Sequence, residues 1–73
     1  MGRLKPLPQK VVIRILEKHG FVHVRSAKHL TFKRTELDGR VLTTWVPKHR
    51  EVSAFVTNYI IRQSEISRAE FES

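Results

Sequence analysis

At Gly20 the hydrophobic period of this chain changes, and that switch sets what it can fold into. Before it, Val11, Val12, Ile15 and Leu16 fall on one helix face, with Lys10, Arg14, Glu17 and Lys18 mostly off it. From Phe21 the period drops to two. Phe21-Val22-His23-Val24-Arg25 alternates, as does His29-Leu30-Thr31-Phe32-Lys33, with Ser26-Ala27-Lys28 as the turn between them. Pro8 suits a first helical turn and Gly20 the left-handed position just past a last one. The first helix therefore spans Pro8 to His19, preceded by Met1–Leu7 as a flexible arm.

Asp38-Gly39 is the strongest hairpin signal, because a tight primed turn needs positive φ at both central positions. The third strand covers Val41 to Val46, and Pro47 closes it because proline cannot donate to a sheet ladder. A two-residue turn sets Leu37 against Arg40, Phe32 against Trp45, Lys33 against Thr44 and His29 against Lys48. Trp45 could offer a stacking platform for a base, but that register buries it against Phe32 and makes it core. The register also places Arg34 and Thr43 on the Phe32 face, which suits a buried face poorly.

The helical period returns at Val52, Phe55, Val56, Tyr59 and Ile60, a stripe expected to face the core with the Tyr59 hydroxyl at its edge. Ser67-Arg68-Ala69-Glu70 reads as a capping box for a last short helix, with Phe71 folding back. The order is α-β-β-β-α, an α+β class. Its economical packing lays both helices on one face of a three-stranded antiparallel sheet and leaves the other face open. With 73 residues, no repeats and no low-complexity run, the chain makes one domain.

Charge narrows the function. The net charge is +7, concentrated in residues 1–50, which hold 12 basic and three acidic side chains; residues 51–73 carry a net −2. Such a basic face suits a polyanion, since Lys and Arg that neutralise phosphates release counterions. An acidic protein would suit it too. With no cysteine, disulfides, thiolate zinc sites and cysteine nucleophiles are excluded. No apolar run reaches the roughly 20 residues a membrane span needs, and the N-terminus has no signal-like stretch, so a cytoplasmic location is expected.

Alternation sends His23, Arg25, His29, Thr31 and Lys33 to the open face if Leu30 and Phe32 face the helices. Imidazole titrates at about pH 6.5, so it can exchange a proton at neutral pH. In RNA, a base that takes the 2′-hydroxyl proton lets that oxygen attack the adjacent phosphorus, and nearby cations stabilise the charge that develops. The bland reading is that strand histidines on a surface are merely polar. Metal binding by His23, His29 and His49 fits less well, for they form no compact ligand motif and stand among cations. His49, after Pro47-Lys48, is either a phosphate contact or an ordering group for its loop; the ordering role is preferred.

These pieces in this order resemble the HicA family of toxins. They are Leu16-Glu17-Lys18-His19-Gly20-Phe21, a Val-x-Val-Arg strand, a histidine opening the second strand, Asp-Gly-Arg, and Val46-Pro47-Lys48-His49. The ending Gln63-Ser64-Glu65-Ile66-Ser67-Arg68-Ala69-Glu70-Phe71 is similar as well, and the likeness runs from Pro8 to Glu72. The resemblance implies a fold of the double-stranded-RNA-binding type and a type II toxin that cleaves messenger RNA without a metal or cofactor. It also implies a HicB-like antitoxin as partner, and neither a membrane nor a small-molecule substrate. The family's catalytic histidine follows a Gly-Ser or similar pair, and His29 matches it. The family's Pro-x-His matches Pro47-Lys48-His49. Ala27-Lys28 replaces the small pair and loses glycine's close backbone approach, while Lys28 adds a cation. Phe55-Val56 stands where the family often has Gly-Thr.

The leading expectation is therefore an endoribonuclease with His29 as general base or acid, and Lys28, Arg25, Lys33, His23 and His49 contacting RNA. The alternative is a non-catalytic RNA-binding module of the same fold, which reads RNA by phosphate and 2′-hydroxyl contacts. A third reading makes the basic face a dock for an acidic protein.

Overall fold

A computed structural model describes residues 4–72. Its elements run β1 (Leu7–Pro8), α1 (Gln9–Lys18), β2 (Val22–Ser26), β3 (His29–Thr35), β4 (Val41–Pro47), β5 (Glu51–Val52), α2 (Ala54–Ser64) and a 3-10 turn over Arg68–Phe71. The three long strands form an antiparallel sheet in the order β2-β3-β4, and β1 pairs with β5 in a separate short ladder. Both helices cover one face of the larger sheet, the expected α+β arrangement.

Helix α1 ends as its glycine dictates. Gly20 has φ 88°. Its N–H donates to Glu17 O at 3.0 Å, and Phe21 N–H donates to Leu16 O at 3.0 Å. This is the Schellman pattern, which satisfies the last carbonyls and sets Phe21 beside Leu16. Both are buried. Pro8 precedes the helix rather than opening it, and pairs with Glu51, while Leu7 pairs with Val52. Leu4 and Leu7 pack against the core, so residues 4–7 are not a loose arm; the rest of that expected arm, residues 1–3, lies outside the described residues.

The β3–β4 hairpin departs from the expected register by one residue. Glu36 N–H donates to Arg40 O at 2.7 Å and Gly39 N–H to Glu36 O at 3.0 Å, which closes a loop of three residues, Leu37-Asp38-Gly39, with Gly39 at φ 91°. A type I turn ending in a left-handed glycine is the usual three-residue solution. Phe32 therefore faces Thr44, Thr31 faces Trp45 and His29 faces Pro47. Because side chains alternate, the one-residue shift moves Trp45 to the opposite face from Phe32. It is not core. Thr44 is buried in its place, its hydroxyl donating to Gln63 Oε1 at 2.8 Å.

The core joins Val12 and Leu16 of α1, Phe21, Phe32, Val46 and Val52 to Ile60, Ile66 and Phe71. In α2 the inward stripe is Val56, Thr57, Ile60, Ile61 and Ser64, so Val56 and Ile60 face the core as expected, whereas Phe55 is 73% exposed and Tyr59 47%. The two aromatic rings instead meet edge to face on the outer surface, their centroids 5.8 Å apart. Thr57 and Ser64 can be buried because backbone satisfies them. Thr57 Oγ1 donates to Ser53 O at 2.9 Å, and Ser64 Oγ accepts from Ile66 N–H at 3.2 Å. Ser53 caps α2 and Ser67 caps the 3-10 turn, which delivers Phe71 to the core as expected. Among the described residues no helix is long and apolar enough to cross a membrane.

Candidate active site

His29 is the first residue of β3. Ala27 N–H donates to His29 O at 3.1 Å, closing a tight turn over the exposed Lys28. From there alternation sends His29, Thr31 and Lys33 to the uncovered face while Phe32 enters the core. Thr31 is partnered by Arg25 on one side and Trp45 on the other. A guanidinium, a hydroxyl and an indole thus form a row across three strands, one step from His29. The next row is Val22, Lys33 and Thr43.

Trp45 is the residue that reading the sequence missed. Its ring stacks on His29 with centroids 4.4 Å apart and planes tilted by 32°. The residue type was visible; only the length of the 37–39 loop, which sets its face, was not.

His23 does not join this group. Val24 is an extra residue between the paired positions His23 and Arg25, a β-bulge that interrupts the alternation. His23 consequently shares Phe32's face, its ring 5.3 Å from that of Phe32 and its Nε2 within 2.9 Å of Ser26 Oγ and 3.0 Å of Arg25 O. The three histidines weighed as metal ligands therefore do not converge. Among the described residues no group of three or more His, Cys, Asp or Glu is arranged to hold a metal ion.

His49 is exposed in the loop after β4. That loop is ordered by Gln9, whose Nε2 donates to Pro47 O and whose N–H donates to Arg50 O, both at 2.8 Å. The ordering role expected of His49 thus falls to Gln9. No hydropathy pattern could point to this glutamine, since both its partners are backbone carbonyls far along the chain, at Pro47 and Arg50.

Electrostatics sorts the cations. Arg34 on the helix side is fully engaged: Nε and Nη2 donate to the two Glu36 oxygens at 2.7 and 3.2 Å, and Nη1 donates to His19 O at 2.8 Å. The hydrogen bonds from Arg34 hold the Glu36 carboxyl below its ordinary range, and those to Glu36 push the guanidinium up despite partial burial. Arg40 pairs with Asp38, and Arg68 with Glu72. Arg25, Lys28 and Lys33, by contrast, are exposed and pair with no carboxylate among the described residues. No Asp or Glu occurs in β2, β3 or β4. The open face thus offers an imidazole and uncompensated cations to an anion.

Comparison with curated proteins gives no match. The family model describing the HicA toxin of bacterial toxin–antitoxin systems matches residues 10–66, a span that holds α2, the whole three-stranded sheet and all but the first residue of α1. With an imidazole opening β3 and more than half of its length matched, the chain belongs to the HicA toxins, the toxin half of a bacterial toxin–antitoxin pair.

Proposed function

We propose that this toxin is a single-domain endoribonuclease that cuts messenger RNA, with His29 moving the proton. The observation that carries the reading is an exposed imidazole on an uncovered sheet face that it shares with unpaired Arg25 and Lys33, with no carboxylate on the three strands. Neutral His29 takes the proton of a ribose 2′-hydroxyl, and that oxygen bonds to the adjacent phosphorus. The bond from phosphorus to the 5′-oxygen of the next nucleotide breaks. The departing oxygen recovers a proton from the imidazolium, leaving a cyclic phosphate and a 5′-hydroxyl. Charge on the phosphoryl oxygens rises along this path, and Arg25, Lys28 and Lys33 are the cations at hand to stabilise it. His49 and its neighbours Lys48 and Arg50 extend the basic surface. The route needs only an imidazole and cations. Its partner is a HicB-like antitoxin that covers this face, and messenger RNA places both in the cytoplasm.

His29→Ala is the test. The variant is expected to keep the thermal midpoint of the wild type and to retard labelled single-stranded RNA on a gel, yet to leave it intact in metal-free buffer. Induction of the wild type should arrest growth, and the variant should not. Equal cleavage by both proteins rejects His29. RNA bound but uncut by the wild type leaves the non-catalytic module, with Ala27-Lys28 as the physical reason.

A further inference from the structure

Three described histidines have partners that explain where their rings point, and they differ in kind. His19 is held by Glu70 at 3.2 Å, and His23 by Ser26 Oγ and Arg25 O. His29 has no hydrogen-bonding partner on its ring among the described residues; it has Trp45, face to tilted face at 4.4 Å. An exposed imidazole beside a turn would otherwise distribute over the staggered χ1 wells and a broad χ2. A catalytic histidine is commonly oriented by a carboxylate on one nitrogen, which occupies that nitrogen and fixes the tautomer. A π-face orients the ring without taking either nitrogen.

We infer that Trp45 is the positioning residue of this site: its indole holds the His29 imidazole in one orientation and leaves both ring nitrogens open to RNA. The inference rests on the nuclease reading of the same face. Two features of the fold support it. Trp45 lies on β4 and His29 on β3, strands locked in register from His29–Pro47 to Thr35–Val41, so the platform is rigid relative to the ring. The end of β4 is itself anchored, since Gln9 Nε2 donates to Pro47 O at 2.8 Å, directly across from His29. Stacking a nucleobase directly on the same indole face would require His29 to leave, because a centroid separation of 4.4 Å has no room for a third ring.

The experiment reads contact and catalysis separately. In NMR spectra the His29 ring protons should lie upfield of those of exposed His49, shifted by the indole ring current, and should show fixed cross-relaxation to Trp45. Both signatures should vanish in Trp45→Thr, a substitution the strand tolerates. Kinetics use a fluorophore–quencher single-stranded RNA oligonucleotide containing all four bases. Trp45→Thr should lower kcat by about tenfold or more with KM nearly unchanged, and Trp45→Phe, which restores a π-face, should recover most of the loss. Circular dichroism melts confirm that both variants fold. Unchanged kcat in Trp45→Thr overturns the inference, as does a rise in KM alone, which would make the indole a base-stacking platform instead. If the wild type cuts no RNA, the nuclease reading fails on its own, and the NMR comparison still decides: averaged His29 shifts sink the positioning role and a single fixed orientation sustains it.

Discussion

Arg34 ties three parts of the chain together through one guanidinium. It grips Glu36 with two donors, reaches the His19 carbonyl at the end of α1 with a third, and lies 4.9 Å over the Phe21 ring. Only a planar fork can do this; a lysine has one point charge and no flat face to stack. The same side chain crowds the neighbouring glycine, since a Cβ on Gly20 would stand 3.3 Å from Arg34 Cδ, at a φ of 88° that already disfavours any side chain. Gly20→Ala should therefore cost about 1–2 kcal/mol, read as a loss of about 5–15 °C in the melting midpoint. Combined with Arg34→Lys, the two losses should sum to more or less than their separate values, because the sites touch. Simple additivity in that cycle would show that backbone strain alone accounts for the glycine. Gly20 was legible in the sequence, since a change of period at a glycine announces a left-handed helix end. Arg34 was not. It stood on a face expected to be apolar, and its partner His19 lies 15 positions away.

Helix α2 shows how an element can be placed correctly while the edge of its inward stripe is misjudged. Hydropathy drew a stripe through Val52, Phe55, Val56, Tyr59 and Ile60; Val52, Val56 and Ile60 do meet the core, but Phe55 and Tyr59 do not. The fold buries Thr57 and Ser64 instead, because a hydroxyl that bonds local backbone carries no polar debt into the core. Two aromatics at i and i+4 are then left outside, with Asn58 and Arg62 beside them. The difference is measurable. Phe55→Ser should shift the melting midpoint by no more than about 4 °C, as surface changes do. Ile60→Val, which deletes one methylene from a fully buried site, should cost about 0.5–1.5 kcal/mol in urea unfolding. A reversed ranking would mean that α2 is rotated from the orientation described. The strands tell a parallel story. Their existence and order followed from alternation, whereas their facing hung on two single-residue events, the third loop residue at 37–39 and the bulge at Val24. One extra residue inverts a face, so His29, Arg25 and Lys33 were found on the open side while Trp45 and His23 were exchanged between sides.

Across the whole molecule the charges divide by task. Arg25, Lys28 and Lys33 on the open face pair with no carboxylate among the described residues, while many charges elsewhere close the fold on itself, and the C-terminal 3-10 turn is the clearest instance. Phe71 enters the core and Glu70 beside it meets His19 at 3.2 Å and Lys18 at 3.8 Å, clipping the end of the chain to the end of α1. A cation at that helix terminus also suits its dipole. The hydrogen bond from His19, and then the charge of Lys18, hold the Glu70 carboxyl below its ordinary value of 4.5, as Arg34 does for Glu36. A carboxyl depressed in the folded state contributes stability that is complete above its unfolded value and is lost as pH falls through its folded one. Acidification below 4.5 should therefore loosen this clip together with the Arg34–Glu36 pair. Glu70→Gln removes one of the two. At neutral pH the variant should melt below the wild type, and the two melting midpoints should draw together as pH falls below 4.5 and the wild-type carboxyl takes up its proton. Because Glu70 is partly exposed, the gap should also narrow in high salt, where surface attraction is screened. An offset that stays constant from pH 7 down to the acid limit would mean that shape, not charge, fastens the C-terminus, and that Phe71 holds it without help from Glu70.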